Sequence, residues 1–188
     1  MIPSPHVGAL LLTPGAGGGR DNRTLVALAD AVDPLPCLRM DFPYRIAGRR
    51  APDRAPVAIA HLAEQAARFV AELGIEPDRL VLGGRSYGGR MCSMAVAQGL
   101  PAAGLVLLSY PLHPPGRPDK PRVEHFPGIK VPVLFVSGEK DPFGSPTEFA
   151  GYVGDIAGPV TQAWLPGGHD PKSDARLTAV VDEWLATL

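Results

Sequence analysis

The 188-residue chain carries 18 basic and 19 acidic side chains, a formal net charge of -1, with 45% hydrophobic and 20% charged residues. That balance excludes a disordered tail and offers nothing global to attract nucleic acid; folding as a single domain over 1–188 buries about 70% of the surface exposed by the unfolded chain. The opening MIPSPH lacks a basic region and the apolar run after it ends at Thr13, so neither a signal peptide nor a membrane span is expected, and the setting reads as cytoplasmic.

Apolar runs of strand length alternate with helix-period segments throughout, the pattern of a parallel sheet wound with helices on both faces. The first strand is expected at GALLLT, followed by the turn TPGAGGGR. A stripe of Leu25, Leu28, Ala29 and Val32 marks the first helix, and CLRMDF the second strand. Arg45, Arg49, Arg50 and Arg54 then crowd one loop, before a long helix with a stripe of Ile59, Leu62, Ala63, Ala66, Val70 and Leu73. Further strands are expected at RLVLGG, GLVLLSY, VPVLFVSG and TQAWLP, giving about six mostly parallel strands. Residues 111–130 hold six prolines and no periodicity, so they form a stiff surface excursion too short for a helical lid, and no cap domain is expected. In the last helix Asp170 is the expected cap and Pro171 the first position, with Leu177, Val180, Val181, Trp184, Leu185 and Leu188 on the buried face.

The stretch VLGGRSYGGRM sets Gly84 and Gly88 two residues either side of Ser86, after a strand and before a helix. A G-x-S-x-G elbow needs this composition because the serine sits strained at a sharp turn, where a side chain at either glycine would strike the neighbouring backbone. Chance yields only about 0.1 such matches among seven serines. A serine hydroxyl becomes nucleophilic only with a base to take its proton and a carboxylate to orient that base. Asp141 follows the strand VPVLFVSG and His169 follows the last strand, in the chain order Ser, acid, His. Glu139 is a rival acid nearer its strand, and His6, His61, His113 and His125 are not at the ends of the right strands. No His/Cys/Asp cluster has metal-ligand spacing, and Cys37 and Cys92 read as two buried thiols in a reducing compartment.

The turn TPGAGGGR admits two readings. Gly15, Gly17 and Asp41 imitate part of a dinucleotide-binding fingerprint, but Arg20 stands where its third glycine is needed. As a neighbour of the elbow, the turn instead offers the backbone N–H of Ala16, which joins that of Tyr87 as an oxyanion hole. Tyr44, Tyr110 and Phe143 follow strands at the same edge and are candidate substrate contacts, with core packing as the equal alternative. Arg85 and Arg90 bracket the elbow, and either anion recognition or a solvated face accounts for them.

The stretches PGAGG, DFPYRIAGRRAPD, GGRSYGGRM, SYPLHPPGRPDKPRVEH, LFVSGEKDPFG and GGHD resemble the α/β-hydrolase superfamily over nearly the whole chain. The likeness is to a small lidless branch, labelled dienelactone-hydrolase-like, that includes testis-expressed proteins and a subunit of a non-specific-lethal chromatin complex. It implies a Ser86, Asp141, His169 triad with Ala16 and Tyr87 as oxyanion donors, on a sheet lacking the superfamily's first two strands. Pro14 departs from the histidine of many members and Tyr87 from a frequent methionine, yet neither change removes a required N–H. True dienelactone hydrolases use cysteine as nucleophile, so the label carries no substrate. The expected activity is hydrolysis of a small-molecule carboxylic ester or thioester, with no cofactor, metal, nucleic-acid or membrane partner; the alternative is a binding or scaffold module that kept the fold.

Overall fold

The computed structural model describes residues 6–188, so the reading of MIPSPH falls mostly outside the described residues. Six strands form one all-parallel sheet in the order β2-β1-β3-β4-β5-β6: β1 Ala9–Thr13, β2 Cys37–Arg39, β3 Leu80–Arg85, β4 Gly104–Leu108, β5 Val133–Gly138 and β6 Val160–Leu165. The order reverses at β1, which pairs with β2 on one side and β3 on the other, opening a crevice at the carboxyl ends of β1 and β3. The connecting helices are α1 Arg23–Ala31, α2 Pro43–Ile46, α3 Ala55–Leu73, α4 Tyr87–Ala97, α5 Pro146–Ala150 and α6 Asp174–Leu185. Among the described residues no cap covers the carboxyl edge.

Strand alternation divides the core in two. Leu10 and Leu12 face α1 and α6, where they meet Leu25, Leu28, Val181 and Leu185. Ala9 and Leu11 face the opposite layer, with Leu62 of α3, Met91 of α4 and Phe135. Because both sides are covered, β1, β3, β4 and β5 are almost wholly buried. The edge strand β6 differs, with Thr161 and Gln162 exposed.

The predicted elements shift in places. Helix α3 buries Ala58, Leu62, Ala66 and Val70, while Leu73, placed on the stripe, is 37% exposed. The last helix begins later than expected: Ser173 caps it by accepting from the Arg176 N–H, and Asp170 is drawn off into an ion pair described below. The excursion 111–130 contains no α-helix, but it is less superficial than its composition suggests. Leu112, His113, Phe126 and Ile129 are buried, and the Arg122 N–H donates to the Leu112 carbonyl at 2.7 Å, closing the segment on itself.

Candidate active site

The strand-to-helix turn after β3 puts Ser86 at φ 50° and ψ -115°, a conformation that costs a non-glycine residue about 1–3 kcal/mol. Its flanking glycines are required by close approach. A Cβ on Gly84 would strike Thr13 Oγ1 and lie 2.6 Å from the Gly88 carbonyl carbon. A Cβ on Gly88 would strike the same hydroxyl and lie 2.6 Å from the Pro14 carbonyl oxygen. The turn therefore presses against the end of β1, and the loop after β1 sits beside the serine.

A second close approach brings in the partners. Gly138 ends β5 where any Cβ would strike the Gly168 carbonyl oxygen, so the loop after β6 lies directly on it. The N–H groups of Glu139 and Lys140 bond the carbonyls of Leu165 and Gly167, both at 2.9 Å, lacing the two loops together. Asp141 leaves one loop and His169 the other. His169 Nδ1 lies 2.9 Å from Asp141 Oδ2 and 3.1 Å from Oδ1, while its Nε2 lies 2.8 Å from Ser86 Oγ. Asp141 Oδ1 also accepts the Phe143 N–H at 2.9 Å, which fixes the buried carboxylate from a second direction. Glu139, the rival acid, is exposed and lines a separate surface cavity with Lys140 and Lys172.

Ser86 opens on a cavity of about 380 Å³. Ala16 and Tyr87 line it with Ser86. Tyr87 is the first residue of α4, so its N–H has no acceptor inside the helix and points from the positive end of the helix dipole. Among the described residues, no hydrogen bond engages the Ala16 N–H. Phe143 lies against His169 with ring centroids 4.2 Å apart and also faces the cavity. An arrangement of this kind supplies a hydroxyl, a base that can take its proton, an orienting carboxylate and two free backbone donors.

Two expected substrate contacts lie elsewhere. Tyr44 and Tyr110 are wholly buried and outside the cavity lining. The Tyr110 hydroxyl donates to the Arg122 carbonyl at 2.7 Å, and burial raises its pKa. The Tyr44 hydroxyl accepts the Gly17 N–H at 3.2 Å, holding the loop that carries Ala16. Asp41 anchors the same loop by accepting the Arg20 N–H at 2.8 Å, so it serves the turn's own backbone. Asp53 continues this frame: its carboxylate accepts from the Tyr44 N–H and Arg49, and its carbonyl from the Tyr87 hydroxyl. Burial works against the charge on Asp53, yet the bonds from Arg49 and the Tyr44 N–H outweigh it and hold the carboxyl below its ordinary range. Part of the Arg-rich loop is thus structural.

Arg85 lines the cavity, but its guanidinium donates to the His169 carbonyl at 3.0 Å and to Asp170 at 3.1 Å. It secures the histidine loop. Arg122 also reaches the cavity and carries no sequence signal for doing so, since it sits in the Pro-rich excursion. The thiols are poor rivals to Ser86, because burial pushes both Cys37 and Cys92 up to about 12. Among the described residues no helix is long and apolar enough to cross a membrane.

Comparison with solved structures finds the same fold in several hydrolases. A dienelactone hydrolase from Anabaena variabilis superposes with a TM-score of 0.75 at 17% identity, covering 99% of this chain and 88% of that one. A Bacillus cereus carboxylesterase gives 0.69 at 19% identity, over 96% and 88%. The type II thioesterase BorB of the borrelidin biosynthetic cluster gives 0.68 at 16%, over 98% and 95%. At such identities the likeness speaks for the fold. A family model described as an alpha/beta hydrolase domain matches residues 6–186, nearly the whole chain, and the protein accordingly belongs to the α/β-hydrolase family.

Proposed function

We propose that the protein is a serine hydrolase that cleaves carboxylic esters or thioesters through an acyl-enzyme. The observation that carries this reading is the unbroken line from Ser86 Oγ to His169 Nε2 at 2.8 Å and from His169 Nδ1 to Asp141 at 2.9 Å. Ser86 attacks the carbonyl carbon as His169 takes its proton, and the carbonyl electrons move onto an oxygen received by the N–H groups of Ala16 and Tyr87. Collapse expels the alcohol or thiol, which leaves with the proton from His169. Water, deprotonated by the same imidazole, then releases the acid and restores the serine. Each oxyanion donor contributes about 3 kcal/mol to the transition state.

Neighbouring structures support this choice of bond, since they include the carboxylesterase, the thioesterase and Est1E from Butyrivibrio proteoclasticus with ferulic acid bound. The reading extends to one domain working in the cytoplasm, supported by the single continuous sheet and two free thiols. A fluorophosphonate probe tests it. Labelling of the parent that is lost in Ser86→Ala upholds the nucleophile; a folded parent that resists labelling and cleaves no aryl ester overturns the reading in favour of a scaffold.

The frame around the oxyanion loop gives a second expectation. Tyr44→Phe deletes the acceptor of the Gly17 N–H without disturbing the buried ring. Looser placement of Ala16 should lower kcat about tenfold and leave KM within about twofold, because the loop acts on the tetrahedral oxygen more than on bound substrate. Steady-state kinetics on an aryl ester separate the two parameters; an unchanged kcat would leave Tyr44 a packing residue.

A further inference from the structure

Two of the cavity's three arginines have no counter-charge. Arg85 is matched by Asp170. Arg90, one helical turn beyond the nucleophile, and Arg122 make no ion pair among the described residues, yet both line the cavity with Ser86. No aspartate or glutamate lines it. Arg90 Nε is buried without a hydrogen-bond partner among the described residues, which is costly for a charged donor. The two guanidinium groups also oppose each other: burial lowers the pKa of Arg122, and the charge of Arg90 lowers it further.

Nothing nearby relieves this. His125 bonds Ser93 Oγ at 2.8 Å and is pushed down to about 4 by burial and by Arg90, so at neutral pH it adds no charge. Glu124 is exposed and pairs with neither arginine among the described residues. Uncompensated cations of this kind, beside a nucleophile, are placed to be neutralised by what enters. A cavity of about 380 Å³ suits a short group seated beside Ser86.

We propose that Arg90 and Arg122 form an anion subsite, and that the substrate is an ester or thioester bearing a carboxylate within reach of the scissile carbonyl. This rests on the serine-hydrolase reading above. Two guanidinium forks can bind both oxygens of the carboxylate, orienting the substrate while offsetting a neighbouring pair of like charges.

The test compares mono-4-nitrophenyl adipate with 4-nitrophenyl hexanoate, equal in chain length but differing by the carboxylate. A second arm compares 4-carboxyphenyl hexanoate with phenyl hexanoate, moving the anion to the leaving group. The parent should favour the anionic member of one arm by about 30-fold in kcat/KM, and that arm tells which side of the ester carries the charge. Arg90→Gln and Arg122→Gln should each cut the preference to about threefold or less, while Arg122→Lys keeps part of it. The Arg122 backbone, which holds Leu112 and Tyr110, is untouched by these changes. Ratios near one in the parent, or a preference that survives both glutamine variants, overturn the subsite while leaving the hydrolase reading intact. If no ester is cleaved the hydrolase reading falls, and calorimetric binding of free adipate decides the subsite: binding lost in Arg122→Gln upholds it, and no binding to the parent overturns it.

Discussion

Ser86→Ala is expected to lower kcat on a short aryl ester by about 10⁴-fold or more, with the remaining rate carried by the oxyanion donors alone. The substitution deletes the attacking oxygen and leaves the backbone turn unchanged. A companion variant, Ser86→Gly, should lose activity equally but melt higher than Ser86→Ala. At φ 50° and ψ -115° the Cβ of alanine keeps the strain that serine bears, and glycine relieves it. Glycine also gains entropy in the unfolded chain, so the net difference should be on the order of 1 kcal/mol. Thermal melts of the two variants measure it. Equal melting temperatures would mean that the elbow stores no strain, and a kcat for Ser86→Ala within tenfold of the parent would remove the serine from the mechanism.

That strain was legible in the sequence because it leaves a local mark. Gly84, Ser86 and Gly88 lie within five residues, and the clashes that exclude side chains at both glycines arise from one turn against β1. The strands were legible for a similar reason: a parallel strand covered on both faces must be largely apolar, as β1, β4 and β5 are apart from Thr13 and Ser137 towards their carboxyl ends. Short helices were not. Helices α2 and α5 span four and five residues, too few for a periodic stripe, although the Ser145–Glu148 capping box of α5 was a readable sign of a helix start. The start of α6 was misplaced because Asp170 and Ser173 are both good caps. The choice went to Ser173 once Arg85, distant in sequence, drew Asp170 into an ion pair.

The same distinction runs through the site. The chain positions of Asp141 and His169 after β5 and β6 pointed to the carboxyl edge, where the structure brings them to Ser86. Side-chain direction was not contained in those positions. Tyr44 and Tyr110 follow strands at that edge, yet their rings turn into the core because each hydroxyl finds a backbone partner there, Gly17 N–H and the Arg122 carbonyl. Arg122 shows the opposite case. Only the closure of a Pro-rich segment onto Leu112 carries it to the cavity, and no short-range pattern encodes that fold.

Asp141→Asn should lower kcat by about 10⁴-fold while leaving the fold and the histidine's position intact. The reason lies in the second bond to the carboxylate. Asp141 Oδ1 accepts the Phe143 N–H at 2.9 Å, so an asparagine must place its amide oxygen there to keep that donor satisfied. Its amide nitrogen then takes the place of Oδ2, 2.9 Å from His169 Nδ1, and donates to it. The imidazole is forced to carry its proton on Nε2, the atom facing Ser86 Oγ at 2.8 Å, and can no longer accept the serine's proton. Asp141→Ala removes the orienting group without imposing the wrong tautomer, and should therefore be no worse than asparagine despite deleting more atoms. Activity of Asp141→Asn within tenfold of the parent, or well above that of Asp141→Ala, would show that another group orients the base.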